Sequence, residues 1–174
     1  MSLIRATGGA ERSVVDVGGG ASVLVDDLLA AGYRDLTVLD ISAAGLDLAR
    51  GRLGPAADEV DWVVADLTSW DPNRTFDVWH DRAVLHFLTD PDQCEAYRRT
   101  LLSASHPGTG VVIGTFGLQG PEQCSGQQVR RYDAAGLAQL LGAEFQLQSA
   151  FTQLHTTPAG GTQEFQWARF LRVR

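Results

Sequence analysis

Asp16 stands two residues before Gly18-Gly19-Gly20, Asp40 follows 20 residues after Gly20, and Asp66 ends the run that opens at Val60. A carboxylate accepts hydrogen bonds on both oxygens, so acids in such places can hold vicinal hydroxyls, an amine or a cation. Successive glycines remove the side chains that would keep a ligand away from the backbone. Together these residues describe a pocket suited to an adenosine, with Asp40 for ribose hydroxyls and Asp66 for an exocyclic amine. A second group, His80-Asp81-Arg82, ends a later run with an imidazole, an acid and a guanidinium. Either His80 or Asp81 could orient or deprotonate a nucleophile there, although a group transfer can also proceed by proximity and alignment alone.

The elements that must position these groups alternate along the chain. Ser13 to Val17 is a short β-branched run that stops at the glycines, and Leu24, Leu28 and Ala31 then recur at helical spacing up to Gly32. Asp35 to Asp40 reads as a second strand, and Ser42 as the N-cap of a helix with Leu46, Ala49 and Leu53 on one face. Val60 to Asp66 and Phe76 to Asp81 read as strands three and four. Asp90-Pro91 starts a helix carrying Cys94, Tyr97, Leu101 and Leu102, which His106-Pro107-Gly108 is expected to break before a fifth strand over Gly110 to Phe116. A loop is expected from Gly117 to Gln128, a helix capped by Asp133, and a hairpin of Glu144 to Thr157 and Thr162 to Val173 turning at Pro158-Ala159-Gly160-Gly161. Strand and helix in alternation predict an α/β fold with a mostly parallel sheet, whose ligands bind past the carboxyl ends of the strands. All three acids and the glycines fall at those ends.

Two nucleotide classes compete for such a pocket. A dinucleotide fingerprint needs a third glycine where this chain has Val23, and Asp16 would face a pyrophosphate with the wrong charge. An NAD-dependent oxidoreductase is therefore the weaker reading. A cofactor with a cationic amino-acid end suits Asp16, which can attract an ammonium or a sulfonium.

Through D-V-G-G-G at 16 to 20, V-L-D-I-S at 38 to 42, V-A-D-L at 64 to 67 and F-D-V-W-H-D at 76 to 81, the chain resembles the class I S-adenosylmethionine-dependent methyltransferases. The resemblance runs over nearly the whole chain. It implies a three-layer Rossmann-like fold with a mostly parallel seven-stranded sheet ending in an antiparallel hairpin. It also implies S-adenosylmethionine as cofactor, held by Asp16, Gly18, Gly19 and Gly20 at the methionine part, Asp40 and Ile41 at the ribose, Asp66 and Leu67 at the adenine, and His80 alongside. The stretch from Trp79 to Thr89, with Cys124-Ser125-Gly126 and Arg131-Tyr132, is similar to a group of small bacterial methyltransferases of mostly unassigned substrate. In that setting Arg82, Cys124 and Arg131 are the candidate substrate-binding residues. Such enzymes commonly carry a helical N-terminal cover over the cofactor, whereas about a dozen residues precede strand one, so residues 1–174 are expected to form one domain without that cover. The expected acceptor is a small molecule, with a protein side chain as the second class; a non-catalytic S-adenosylmethionine-binding module is the alternative role.

Composition narrows the remaining classes. Of 174 residues 21 are acidic and 14 basic, for a net charge of −7, and all the basic ones are Arg. Lysine Schiff bases, a P-loop lysine and a lysine general base are thereby excluded. An acidic chain is a poor match for nucleic acid, and no membrane span or signal segment is legible, so a cytoplasmic protein is expected. Cys94 reads as inert packing and no cluster has metal-ligand spacing. His86 reads as a half-buried structural histidine, His155 as exposed near the last turn, and Arg98-Arg99 as the solvated face of a helix.

Overall fold

The computed structural model describes residues 1–157 and 160–174. β-Branched runs bounded by glycine or by caps become strands, and the amphipathic stretches between them become helices. In chain order these are α1 (Ser2–Arg5), β1 (Val14–Val17), α2 (Leu24–Ala30), β2 (Leu36–Asp40), α3 (Ala43–Leu53), β3 (Val60–Val64), β4 (Phe76–Arg82), α4 (Pro91–Ser103), β5 (Ser105–Phe116), β6 (Gln123–Cys124), β7 (Gln127–Gln128), α5 (Ala134–Leu141), β8 (Phe145–Thr156) and β9 (Thr162–Arg172).

Seven strands form one sheet in the order β3-β2-β1-β4-β5-β9-β8, with β9 antiparallel to both neighbours and the rest parallel. This is the expected mostly parallel sheet ending in an antiparallel hairpin. Its two faces bury separate cores. Val15, Val17, Trp79, Val111 and Ile113 pack under α4 and α5, while Val14, Val38, Val78 and Val112 pack under α2 and α3 with Ile4 of α1. The chain starts in the middle, works outward to β3, then returns to β4 on the far side of β1. That reversal opens a crevice at the carboxyl ends of β1 and β4, the place where open α/β sheets bind ligands.

Local chemistry sets the boundaries. The Ser42, Asp90 and Asp133 side chains accept from backbone N–H groups of Gly45, Asp92 and Gly136 as N-caps. Gly32, at φ +93°, ends the turn after α2, where Tyr33 N–H closes onto the Leu28 carbonyl.

Three expectations are corrected. His106-Pro107-Gly108 does not separate helix from strand: β5 already begins at Ser105 and takes in those residues as an irregularity against β4, between Phe76 and Val78. The Thr109 hydroxyl stitches it by donating to the Phe76 carbonyl and accepting from His106 N–H, so Pro107 sits where a missing donor does little harm. The expected loop from Gly117 to Gln128 contains a small hairpin, β6–β7, whose tip is Ser125-Gly126 with φ +50° and +78°, the geometry of a two-residue hairpin turn. Third, His86 is fully buried rather than half-buried. Of the turn joining β8 and β9, Pro158 and Ala159 lie outside the described residues, while Thr156 pairs with Thr162 beside it.

Candidate functional site

The glycine turn is built around two close approaches. Gly18 has φ +68°, and a Cβ there would stand 2.0 Å from Val84 Cγ2; Gly20 has φ +37°, and a Cβ would stand 2.8 Å from an Asp40 carboxylate oxygen. Gly18 N–H also donates to the Leu39 carbonyl, tying the turn to the end of β2. The bare backbone therefore faces the crevice with Asp40 beside it.

Two connected hollows run along this crevice. One, about 500 Å³, is lined by Gly18, Asp40, Ile41, Asp66, Leu67 and Thr68 from the sheet end. The other, about 420 Å³, is lined by Asp16, the three glycines, Asp40, His80 and Arg82. Gly18, Asp40 and Ala83 line both, so the two make one groove over β1, β2, β3 and β4. Asp40 Oδ1 accepts from Ser42 N–H at 2.8 Å, which aims the carboxylate across the groove. Asp66 Oδ1 accepts from the Thr68 hydroxyl at 2.7 Å and the Thr68 N–H at 2.8 Å, and these bonds, the hydroxyl first, hold its carboxyl below the usual range. Ile41 presents an apolar side chain that is 72% exposed at the groove mouth, suited to lie against a flat base.

Asp16 and His80 meet as direct register neighbours on β1 and β4. His80 Nδ1 lies 2.7 Å from Asp16 Oδ1 with both side chains almost fully buried. A bond of that kind places the proton of a neutral imidazole on Nδ1 and leaves Nε2 as an acceptor. Asp16 is thus engaged by the histidine on one oxygen, while Oδ2 faces the glycine turn.

Not every candidate reaches the groove. Side chains alternate along a strand, so Asp81 points to the face opposite His80, where it is wholly buried and accepts from Val84 N–H at 2.9 Å and Leu85 N–H at 3.1 Å. Burial pushes its carboxyl up to about 6. It anchors the segment after β4, in which Ala83 takes φ +66° and Val84, Phe87 and Leu88 become a wall of the groove. Arg131 is committed to its own loop, donating to the Gly120 carbonyl and to Glu122 at 3.0 Å. Cys124 packs beside Phe116, Val129 and Phe165, and the neighbouring Ser125 and Gln127 line the groove in its place. Arg82 does reach the groove, with its guanidinium 5.4 Å from the centre of the Phe165 ring. Arg98, read as solvated, instead pairs with Glu144 at 2.8 Å and ties α4 to the start of β8. Among the described residues no group of three His, Cys, Asp or Glu side chains is arranged to hold a metal.

The Ala83–Leu88 wall and the two aromatics of β9, Phe165 and Trp167, are not among the site residues expected from the sequence. A signal for the second existed: Phe165 and Trp167 sit two apart in a strand, hence on one face.

A parallel sheet that reverses beside a glycine cradle and closes with an antiparallel hairpin defines the class I S-adenosylmethionine-dependent methyltransferase fold. Residues 14–107 match the family described as methyltransferase domain, more than half of the chain, and the protein belongs to that family. Nodulation protein S of Rhizobium tropici is 28% identical over 115 residues, 66% of this chain and 48% of its own length, so the chain spans about half of that relative. A SAM-dependent methyltransferase of Methanosarcina mazei superposes with a TM-score of 0.81 at 15% identity, covering 99% of this chain and 98% of that one. The 1,6-didemethyltoxoflavin-N1-methyltransferase of Burkholderia thailandensis, solved with 1,6-didemethyltoxoflavin and S-adenosylhomocysteine, gives 0.76 at 23% identity over 99% of this chain and 76% of that one.

Proposed function

We propose that the groove binds S-adenosylmethionine and that the protein methylates a small molecule. The observation that carries this reading is the cradle: two glycines whose Cβ atoms would collide with Val84 and Asp40, opening onto carboxylates at successive strand ends. Bound there, the cofactor supplies a methyl group on a sulfonium that a nucleophile can displace.

The chain's own part is positioning. The free backbone of Gly18 to Gly20 admits an amino-acid end, Asp16 Oδ2 supplies negative charge beside it, and Asp40 takes the ribose hydroxyls. Ile41 would cover the base, Asp66 would accept from its amine, and the backbone at Leu67 would meet its ring nitrogens. The segment from Ala83 to Leu88, held by Asp81, excludes water from one side. Asp81, Cys124 and Arg131 have no direct role in this reading; Arg82 remains at the mouth of the groove.

Calorimetric titration of S-adenosylhomocysteine tests the proposal, with saturable binding expected. Asp40→Ala should weaken it by about 10- to 100-fold, since a buried hydroxyl pair loses its charged acceptor, a loss of ~1.5–3 kcal/mol. Equal affinity of parent and variant would sink the ribose assignment, and no binding to the parent would sink the function.

A further inference from the structure

Beyond the groove, on the side away from Asp66, lie two further hollows of about 280 and 150 Å³. His80 lines both of these as well as the glycine end of the groove, and Arg82 and Phe165 line the larger one and the groove. His80 is therefore the partition between a cofactor compartment and a second compartment.

The second compartment has a flat wall. Trp167 pairs in register with Gly114 of β5, and a Cβ at Gly114 would stand 2.7–2.8 Å from three atoms of the indole ring. The missing side chain lets the indole lie down on the sheet, with its other face toward the hollow. Its plane is within 31° of the His80 ring and 25° of Phe165, at centroid distances of 6.2 and 6.3 Å. His155 meets Phe165 edge-on, and Arg82, which makes no ion pair among the described residues, overhangs the same ring. Asp27 of α2 and Met1 also line the larger hollow.

Resting on the proposed cofactor site, we infer that this compartment takes the methyl acceptor, and that the acceptor is a flat one- or two-ring aromatic or heteroaromatic acid whose ring O–H or N–H faces His80 Nε2. The ring stacks offset on Trp167; the larger hollow, about 280 Å³, has room for a small ring system; and the acid group meets the Arg82 guanidinium. The buried bond from His80 Nδ1–H to Asp16 leaves Nε2 free to take the acceptor's proton. In the step itself the O–H or N–H electron pair forms the new bond to the methyl carbon. The carbon–sulfur bond breaks with its pair remaining on sulfur, giving the neutral thioether, and the acceptor's proton ends on His80. Asp16 acts through the imidazole as a positioning residue.

The test uses the full chain saturated with S-adenosylhomocysteine, titrated with 4-hydroxyquinoline-2-carboxylate, 4-hydroxybenzoate and cyclohexanecarboxylate, and turnover assays with S-adenosylmethionine. At least one ring acid should bind more than about tenfold tighter than the saturated acid and be methylated. Trp167→Ala should raise KM for that ring acid about tenfold while S-adenosylhomocysteine affinity stays within about twofold. His80→Gln and Asp16→Asn should lower kcat by about 100-fold and move KM for the ring acid less than about threefold. The inference is overturned if the loaded protein binds neither ring acid, binds the saturated acid equally well, or keeps its KM in Trp167→Ala. Failure to bind S-adenosylhomocysteine at all overturns the cofactor reading instead, so the two failures are distinct.

Discussion

Asp81 and His80 are chain neighbours with unlike fates, and the difference is only which way each points. His80 lies beside the groove; Asp81 completes a buried chain in which Trp79 Nε1–H donates to the Tyr97 hydroxyl at 3.1 Å and Tyr97 bonds to the carboxyl. Because burial raises Asp81 to about 6, the folded state holds its proton more tightly than the unfolded chain. Its contribution is therefore full at acid pH and is lost as pH rises through about 6. His86 has the opposite sign. Its Nε2 has no partner among the described residues and burial lowers it to about 4, so its contribution is present above the ordinary histidine value near 6.5 and is lost as pH falls through about 4. The two windows overlap and offset each other in the parent. Urea unfolding should show Asp81→Asn gaining on the order of 2 kcal/mol relative to the parent between about pH 4 and pH 8. His86→Leu should gain a similar amount relative to the parent on going from about pH 7.5 to about pH 4. Differences that do not change with pH would remove these assignments. These fates were not legible in the local sequence: a histidine and an aspartate ending a strand look equally catalytic until the face each occupies is known.

At the scale of the element, the β1–α2 turn is where sequence and structure coincide most closely. Three glycines predict a close approach, and two of them have positive φ and a neighbour within van der Waals range of the absent Cβ. Gly18→Ala should destabilise the fold by about 1–3 kcal/mol, combining left-handed strain with displacement of Val84. It should also weaken S-adenosylhomocysteine binding, because Val84 is a groove wall. Thermal unfolding with and without ligand checks both. Unchanged stability would mean that Val84 can move away freely. The β6–β7 hairpin shows the reverse case. Its Ser125-Gly126 turn carries a recognisable signal, but two-residue strands have too little alternation to read, and only the packing of Cys124 against Phe116 of β5 and Phe165 of β9 brings Ser125 and Gln127 to the groove. The extension of β5 through Pro107 is similar, since the Thr109 bond to Phe76 is a contact between distant segments.

For the whole molecule, one continuous sheet with a core on each face argues for unfolding as a unit. Trp62 lies on β3 at one edge, Trp79 on β4 at the centre, and Trp167 on β9 beside the other edge. Tryptophan fluorescence and far-ultraviolet circular dichroism should therefore give coincident urea transitions, and two separated transitions would show that the β8–β9 hairpin unfolds independently. No helix among the described residues is long and apolar enough to cross a membrane. The sequence alone determined the alternation of strand and helix, the glycine turn, and the acids at three strand ends, because these depend on local periodicity and on residues within a few positions of each other. It also identified the family, through motifs that are contiguous in the chain. Tertiary structure decided which of His80 and Asp81 faces the ligand, that Asp16 and His80 are partners, and that Trp167 from the last strand lies against Gly114 beside them. Such pairings join residues 53 to 64 positions apart by strand register, and register is settled only when the whole sheet buries both its faces.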